Sequence, residues 1–240
     1  MTSYTVKLKQ AREVAEETLA LHLEKPEGFT FKPGQFVECK LIDPPETDEE
    51  GSGRAFSLAN APHEPDLMVA TRLRDSAFKR VLQSLKPGAT LELEGPFGSF
   101  VLHNKTQTPA VFLTGGIGIT PVRSIILDAL HRRLAHRILL FYANRRPEDA
   151  AFLEELNSPR DTDPHYTFIP LMTQADQSSS DWRGETGRIN RALLEKYLDD
   201  LTAPIYYLDG PAGMVNAMRQ LLNEAGVDDD NIRAEEFSGY

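Results

Sequence analysis

The 240-residue chain carries 36 acidic and 26 basic side chains, and its formal net charge of −10 argues against a nucleic-acid or anionic-membrane partner. Its 40% of hydrophobic residues suffices for packed cores, but no stretch is apolar enough for membrane insertion or a secretory signal, so we expect a cytoplasmic protein. A single cysteine, Cys39, excludes an intrachain disulfide and a four-thiolate iron–sulfur cluster, and the six histidines lack metal spacing, so we assign no metal.

The first hundred residues predict short strands separated by glycine and proline turns, a pattern typical of an antiparallel sandwich or barrel. The candidate strands are 4–10, 12–23, 35–42, 54–59, 66–73 and 90–94. One helix interrupts them. Asp75 or Ser76 provides its N-terminal cap, and the apolar residues that follow recur with helical spacing.

From residue 109 onward, strands alternate with helical segments, which predicts a mostly parallel sheet with helices on both faces. The predicted strands are 109–114, 137–142, 165–172, 204–209 and 231–237, and the predicted helices are 120–135, 148–157, 190–200 and 212–225. Residues 103–108 resemble a linker, so we expect two domains, 1–105 and 106–240.

The segment TGGIGITP, residues 114–121, lies between the first strand and the first helix of this second half. In an open parallel sheet, ligands bind beyond the carboxyl ends of the strands. The backbone N–H groups of Gly115, Gly116 and Gly118 would accept a pyrophosphate there, and Pro121 suits the first helical turn. The alternative is a tight turn without a ligand, because Pro121 stands where the dinucleotide fingerprint has its third glycine.

A second candidate anion site lies in the first half. The strand RAFS, residues 54–57, carries an arginine, an aromatic ring and a hydroxyl, although arginine beside aromatic residues is also common on barrel surfaces. Arg72 at a strand end and Ser76 at a helix start follow it. EGPFGSF, residues 94–100, adds a turn that permits close approach of the backbone to a ligand.

Together these motifs resemble the ferredoxin–NADP reductase superfamily over nearly the whole chain. The matching segments are RAFS at 54–57, TRLRDSAFKRVL at 71–82, GPFG at 95–98, GGIGITP at 115–121, YANR at 142–145 and DGPAGM at 209–214. Their order and spacing together are specific to that superfamily. The resemblance implies a flavin-binding antiparallel β-barrel followed by a nicotinamide-binding α/β domain with a parallel sheet.

The resemblance also implies roles for individual positions. Arg54 would hold flavin phosphate, Phe56 would pack on the isoalloxazine and Ser57 would hydrogen-bond near flavin N5, with Ala55 inside the same motif. The residues that would hold the rest of the pyrophosphate, and so favour FAD over FMN, are Thr71, Arg72 and Ser76. The residues that would bind NADH or NADPH are Gly115, Gly116, Ile117, Gly118, Thr120 and Pro121, with Gly210, Pro211 and Met214 as the opposite wall.

Two positions depart from the superfamily pattern. Many relatives have a cysteine where this chain has Asp209, whose carboxylate would orient nicotinamide or stabilise its positive charge; the alternative is a strand-end residue that bonds the next turn. Relatives that use NADPH often carry Ser-Arg where this chain has Thr173 and Gln174, which favours NADH. Arg145 and Arg188 nevertheless fall where other relatives bind phosphate.

The C-terminal segment EEFSGY supplies the last expected site residues. Relatives often end with an aromatic ring on the flavin face that nicotinamide must reach, a role that Phe237 matches best and Tyr240 matches as the alternative. Glu235 is a candidate flavin-site carboxylate. The cofactors would carry the chemistry, with Ser57, Asp209 and Phe237 as the residues of the catalytic site.

The function implied by the resemblance is that of an FAD-dependent enzyme that takes hydride from NAD(P)H. It would pass electrons to a separate acceptor such as ferredoxin or flavodoxin. The alternatives are a reductase of free flavins or quinones and a non-catalytic nucleotide-binding regulatory subunit. The presence of both RAFS and GGIGITP argues against the regulatory subunit.

Overall fold

A computed structural model describes residues 2–161 and 163–237, which contain two six-stranded sheets. The first comprises β1 (Ser3–Ala15), β2 (Thr18–Leu23), β3 (Phe36–Leu41), β4 (Gly53–Ser57), β5 (Leu67–Arg72) and β6 (Thr90–Phe97), with α1 (Ala77–Ser84) before the last strand. The strands are antiparallel in the order β4-β3-β6-β1-β2-β5, and a bridge between Leu58 and Val69 joins the two edges. The predicted antiparallel barrel is therefore confirmed.

Two strand boundaries of the barrel differ from the predicted ones. The predicted strand 12–23 is divided between β1 and β2, because the chain reverses at Glu16 and Glu17. Glu17 adopts a left-handed φ of 54°, and neither residue is a glycine or proline that would mark the turn. At the other boundary, β6 continues past residue 94 because Phe97 pairs with Phe36 of β3 beyond an irregularity in the ladder.

The second sheet is parallel, with the strand order β10-β9-β8-β7-β11-β12, which confirms the prediction for this half. Its strands are β7 (Ala110–Gly115), β8 (Ile138–Asn144), β9 (Tyr166–Met172), β10 (Glu185–Thr186), β11 (Ile205–Pro211) and β12 (Ile232–Phe237). The helices are α2 (Ile119–His131), α3 (Leu153–Asn157), α4 (Arg191–Tyr197) and α5 (Ala212–Glu224).

The helices between the strands are shorter than predicted in three places, the first being α2, which ends at His131 instead of at residue 135. The predicted helix 148–157 is broken, because Phe152 adopts a left-handed φ of 60° between a 3-10 turn at Pro147–Asp149 and α3. The predicted helix 190–200 is capped by Asn190 and ends at Tyr197. Over residues 2–161 and 163–237, no helix combines the length and apolarity that crossing a membrane requires.

Helix α2 joins the two halves of the chain. One hydrophobic cluster contains apolar residues of the barrel, of α2 and of the central strands of the parallel sheet, including Phe100. The guanidinium of Arg123 on α2 donates to the carbonyl oxygen of Ala59 at 2.7 Å, and the hydroxyl of Ser124 donates to that of Asn60 at 2.6 Å. The barrel and the sheet therefore share a core, and a domain boundary between residues 105 and 106 stays a prediction.

Candidate active site

A crevice forms at the carboxyl ends of β7 and β11, in the middle of the parallel sheet. The two strands are neighbours, but α2 packs on the face that meets the barrel, whereas α5 packs on the opposite face. Such a divergence is a topological switch point, where α/β sheets bind ligands. The turn Gly116–Gly118 and the N-terminus of α2 lie at this point, and a helix N-terminus attracts anionic groups.

The glycines of the two motifs at this crevice are required by packing between the strand ends. A Cβ on Gly115 would lie 2.5 Å from Sδ of Met214, and a Cβ on Gly210 would lie 3.0 Å from the carbonyl oxygen of Gly115. A Cβ on Gly118 would lie 2.7 Å from the carbonyl carbon and oxygen of Asp209. The missing Cβ atoms of Gly115 and Gly118 thus face protein, and the expected binding of a pyrophosphate by their N–H groups stays a prediction.

Two further residues of the glycine motif stabilise the turn itself. Thr120 is buried, and its hydroxyl donates to the carbonyl oxygen of Ile117 at 3.1 Å. Pro121 is the third residue of α2, where a missing N–H leaves no helical hydrogen bond unmade. A role for Thr120 beside nicotinamide stays a prediction.

Three polar side chains form a row across the strand ends, two of them buried and the third, Glu235, half-buried. Asp209 of β11 pairs in register with Thr114 of β7 on one side and with Glu235 of β12 on the other. Asp209 is 0% exposed, and neither its carboxylate oxygens nor the Thr114 hydroxyl has a hydrogen-bond partner among the described residues. The interpretation of Asp209 as a residue that bonds the next turn is therefore wrong. Sequence reasoning gives Thr114 no role, and only its register opposite Asp209 places its hydroxyl in this row of polar side chains.

The carboxyl groups of this row have perturbed acidity. Burial raises the pKa of Asp209 well above its ordinary value, and the charge of Glu235 raises it further. Burial also raises the pKa of Glu235 to about 7. A Cβ on Gly98 would lie 3.7 Å from Oε1 of Glu235, so this carboxyl lies where the GPFG turn of the barrel meets the parallel sheet.

The barrel carries a cluster of cations around Arg54 and the start of α1. The guanidinium of Arg54 lies 5.0 Å from the ring centre of Phe78 on α1. Burial, and then the charges of Arg74 and Arg54, lower the pKa of Lys79. Ser76 caps the helix by accepting the N–H of Lys79 at 3.3 Å. The sequence contains Lys79 within a basic run but does not single it out as a site residue.

An acidic loop engages the same arginine. Arg54 donates to Asp48 at 2.8 Å, and its ion pair with Glu50 measures 2.9 Å. The guanidinium also donates to three backbone carbonyl oxygens of residues 50–53. The run 43–51, which the sequence presents only as an acidic segment, therefore folds over the position expected to hold flavin phosphate.

The other residues of the RAFS motif differ in how far their side chains are exposed to solvent. Phe56 is only 7% exposed and packs in the barrel core, with its ring centre 6.0 Å from that of Phe78. Ser57 is also buried, whereas Ala55 is exposed. The stacking of Phe56 on a flavin ring stays a prediction, and it would require an uncovered ring face.

Arg72 contributes to the contact between the two halves of the chain. Arg72 donates to Asp149 at 3.2 Å, which connects the barrel to the 3-10 turn after β8. Thr71, directly before it, is buried, and its hydroxyl lies 3.4 Å from the carbonyl oxygen of Arg72. The roles of Thr71, Arg72 and Ser76 in holding pyrophosphate stay predictions.

Exposed polar residues follow the strands beside the crevice. Arg145, Thr173 and Arg188 come directly after β8, after β9 and shortly after β10, and all three are exposed. The backbone N–H of Thr173 donates to the carbonyl oxygen of Asn144 at 2.9 Å, which fixes the first two strand ends together. Neither arginine side chain has an ion pair within the described part of the chain.

The C-terminal strand ends next to the crevice. In the register of β11 and β12, Phe237 is opposite Pro211, one residue beyond Gly210. The side chain of Phe237 and the whole of Tyr240 lie outside the described residues. The expectation that one of these rings covers the flavin therefore stays a prediction.

Two comparisons with known proteins relate the chain to oxidoreductases. Residues 112–220 match the family model described as an oxidoreductase NAD-binding domain. A ferredoxin NADP+ reductase from Neisseria gonorrhoeae has been solved with bound FAD and NADP. The alignment covers 98% of this chain and 99% of that reductase, at 19% identity. The TM-score of 0.80 shows that the two share a fold. Both comparisons match the ferredoxin–NADP reductase superfamily that the sequence motifs resemble.

Two relatives with similar sequences are larger than the chain. The F component of the Na+-translocating NADH-quinone reductase of Idiomarina loihiensis is 30% identical over 201 residues, which cover 78% of this chain and 49% of the relative. The terephthalate 1,2-dioxygenase reductase component 1 of a Comamonas species is 27% identical over 239 residues, which cover 98% of this chain and 68% of the relative. The chain thus spans about half the length of the first relative and about two thirds of the second.

Proposed function

We propose that this chain is an NAD(P)H-dependent flavoprotein reductase. Hydride from a reduced nicotinamide nucleotide would reach FAD, and electrons would pass to a separate acceptor such as a ferredoxin, a flavodoxin or a small molecule. The observation that carries the proposal is the junction at Glu235, where the crevice of the parallel sheet meets the GPFG turn of the barrel. Named relatives that are reductases or reductase components support it.

The barrel cations fit the phosphates of a flavin dinucleotide. Lys79 is half-buried near Arg54 and Arg74, and its pKa is lowered by its burial and then by the charges of these two arginines, against a smaller opposing effect of Glu50. An anion with several oxygen atoms would relieve this repulsion, because arginine and lysine bind phosphate through charge-assisted hydrogen bonds. FAD held in this way would supply the hydride acceptor, while the protein positions it and excludes water.

The crevice fits the nicotinamide end of a dinucleotide. The N-terminus of α2 and the turn Gly116–Gly118 would hold the pyrophosphate, as helix N-termini do in related α/β sheets. Thr114 and Asp209 would offer hydrogen-bonding groups to the ring, because both are buried without partners in the described ranges. Met214 would close the opposite wall, where its sulfur already packs over Gly115.

The choice between the two coenzymes depends on the adenosine end. We favour NADH, because Thr173 and Gln174 replace the Ser-Arg pair typical of relatives that use NADPH. The exposed Arg145 and Arg188 would contact the ribose or the pyrophosphate. If they instead bound a 2′-phosphate, the Arg188→Ala variant would lose affinity for NADPH far more than for NADH, and Arg191→Ala on α4 is the matched control because that arginine pairs with Glu195.

The test of the proposed function is anaerobic reduction of the purified protein. The FAD-loaded protein is expected to be yellow and to bleach on addition of NADH, more slowly with NADPH, as followed by stopped-flow absorbance. An acceptor screen with ferredoxin, flavodoxin, quinone and free flavin would then define the electron acceptor. A protein that binds FAD but is bleached by neither nucleotide would overturn the proposal.

A second candidate function, a reductase of free flavins, is favoured by the acidic loop. Phosphate can reach Arg54 only by displacing Asp48 and Glu50, so flavin would be held more weakly than by an unpaired arginine. A weakly held flavin can exchange and act as a substrate. Gel filtration distinguishes the two functions: FAD that stays with the protein supports a resident cofactor, and FAD that separates completely supports a flavin substrate.

A further inference from the structure

Asp209 and Glu235 form a carboxyl pair that the proposed hydride transfer does not explain. They occupy paired positions on adjacent parallel strands, so their side chains lie on the same face of the sheet. Asp209 is fully buried, and both of its oxygens lack a hydrogen-bond partner over residues 2–161 and 163–237. Buried carboxyl groups are normally paired or hydrogen-bonded, so this absence points to a group that the crevice receives.

The residues that face the carboxyl pair from neighbouring elements carry no ionisable cation. Thr114 faces Asp209 from β7, and a Cβ on Gly118 would lie 2.8 Å from its Oδ1. Gly98 faces Glu235 from the barrel. None of these three residues ionises, so the neighbouring elements supply no cation to balance two negative charges.

The other ionisable groups on this face do not neutralise the pair either. Arg233 precedes Glu235 by two residues on β12, but its guanidinium lies 5.4 Å from the ring centre of Tyr207 and donates to the carbonyl oxygen of Val101 at 2.6 Å. Burial raises the pKa of Tyr207, which keeps the phenol neutral. Of the charged groups in the described ranges, Glu235 is the one whose charge shifts the pKa of Asp209.

Ionisation of both carboxyl groups is unfavourable without a cation nearby, because Asp209 is fully buried and Glu235 is half-buried beside it. Burial and mutual repulsion raise the pKa of Asp209, and burial raises the pKa of Glu235 to about 7. The pair therefore holds at least one proton near neutral pH, and its two protons come off in coupled steps. A cation placed beside Asp209 would reverse this balance and release a proton.

We propose that the carboxyl pair discriminates between oxidised and reduced coenzyme by releasing a proton when the oxidised form binds. The inference rests on the proposed function, because it requires a nicotinamide ring beside Asp209. The oxidised ring carries a positive charge and the reduced ring carries none. Binding of oxidised coenzyme exchanges one proton of the pair for the charge of the ring, and the proton goes to solvent. Binding of reduced coenzyme leaves the proton in place.

The test is equilibrium binding to the FAD-loaded protein, with NAD+ and its tetrahydro analogue as probes. The ring of the analogue is uncharged and donates no hydride, so the flavin stays oxidised. Calorimetry in two buffers of different protonation enthalpy counts the protons released. We expect NAD+ to release up to one proton near neutral pH and to bind up to about tenfold more tightly per pH unit as the pH rises. The analogue should release none.

Three variants locate the effect. Asp209→Asn is expected to remove the proton release and the pH dependence of NAD+ binding. Glu235→Gln, which covers the case that the first variant does not fold, should lower the release near neutral pH because the repulsion within the pair is gone. Glu236→Gln is the matched control, since Glu236 is exposed on the same strand, and it should behave as the wild type.

The outcomes separate this inference from the function on which it rests. If NAD+ binds without releasing a proton, or if the analogue releases as many, the role of the carboxyl pair is wrong and the reductase function stands. Retention of full proton release in both Asp209→Asn and Glu235→Gln would refute it in the same way. If neither probe binds and NADH does not bleach the flavin, the function and the inference both fail.

Discussion

Replacement of Gly118 by alanine tests the contact between the two motifs of the crevice. The backbone of Gly118 has φ −56° and ψ −10°, a conformation that alanine adopts without strain. The added Cβ, however, would lie 2.7 Å from the carbonyl carbon and oxygen of Asp209 and 2.8 Å from Oδ1. Carbon atoms pack best at about 3.5–4.0 Å, so the turn or the end of β11 must move by roughly 1 Å.

The size of the effect follows from two opposing terms. Overpacking of a buried contact costs about 1–3 kcal/mol, and the reduced freedom of alanine in the unfolded chain offsets about 0.4–1 kcal/mol of this. We expect Gly118→Ala to lower the free energy of unfolding by about 1–2 kcal/mol. For a chain of this length, that corresponds to a decrease in Tm of about 2–8 °C.

The assay is thermal unfolding of the protein without coenzyme, with Gly213→Ala as the matched control. Gly213 lies in the first turn of α5, and no heavy atom lies within 4 Å of a Cβ built there. The control should unfold at the same temperature as the wild type or slightly above it. If Gly118→Ala is as stable as the control and loses only coenzyme affinity, the glycine serves ligand space, and the packing argument is wrong.

Three further predictions concern the barrel and its contact with α2. Arg123→Met should lower the free energy of unfolding by about 3 kcal/mol, measured as a decrease in the urea midpoint, because Arg123 is 3% exposed and its loss strands the carbonyl of Ala59. Burial opposes ionisation of Glu64, but hydrogen bonds and charge from Arg123 hold its pKa below the ordinary value. The stability of the wild type should therefore fall as the pH drops below about 4.3. In Arg123→Met the stability should fall less over the same pH range. Arg54→Ala should weaken FAD binding about tenfold, measured by fluorescence titration. This is the lower end of the loss expected for a phosphate contact, because the carboxylate of Asp48 competes for Arg54. Unchanged affinity would exclude Arg54 from the flavin site.

Local signals in the sequence predict most of the fold. The change from short strands with glycine and proline turns to alternating strands and helices separates the barrel from the parallel sheet. Ser76 and Asn190 are caps because their short side chains accept N–H groups within three residues, a pattern that the sequence contains directly. The position of the glycine turn 116–118 at a strand end is predicted correctly for the same reason.

Contacts between distant segments explain the differences. The reversal at Glu17 and the break at Phe152 both use left-handed residues that are neither glycine nor asparagine, so no local signal marks them. The pairing of Arg72 with Asp149 joins residues 77 positions apart, so the sequence gives no sign of it. The burial of Phe56 depends on the packing of α1 over β4, which no alternation pattern predicts.

The candidate site likewise combines residues that the sequence marks with contacts that only the folded chain brings about. Asp209 is conspicuous in the sequence because it departs from the superfamily motif, but its lack of partners depends on three strands coming together. The sequence also lacks any sign that the missing Cβ of Gly118 faces Asp209. A motif therefore identifies where a site lies, whereas the assembled sheet decides which atoms are free to act.

The connection through α2 would hold the two proposed cofactor sites in a fixed relation. Arg123 and Ser124 bond the carbonyl oxygens of Ala59 and Asn60, which follow the RAFS strand by two and three residues. Arg123 and Ser124 in turn follow the GGIGITP motif by two and three residues. About one turn of helix therefore separates the hydrogen bonds to the barrel from the start of the crevice. Hydride transfer depends on the distance between donor and acceptor to within about 1 Å, so disruption of these bonds should slow transfer more than it weakens binding of either cofactor.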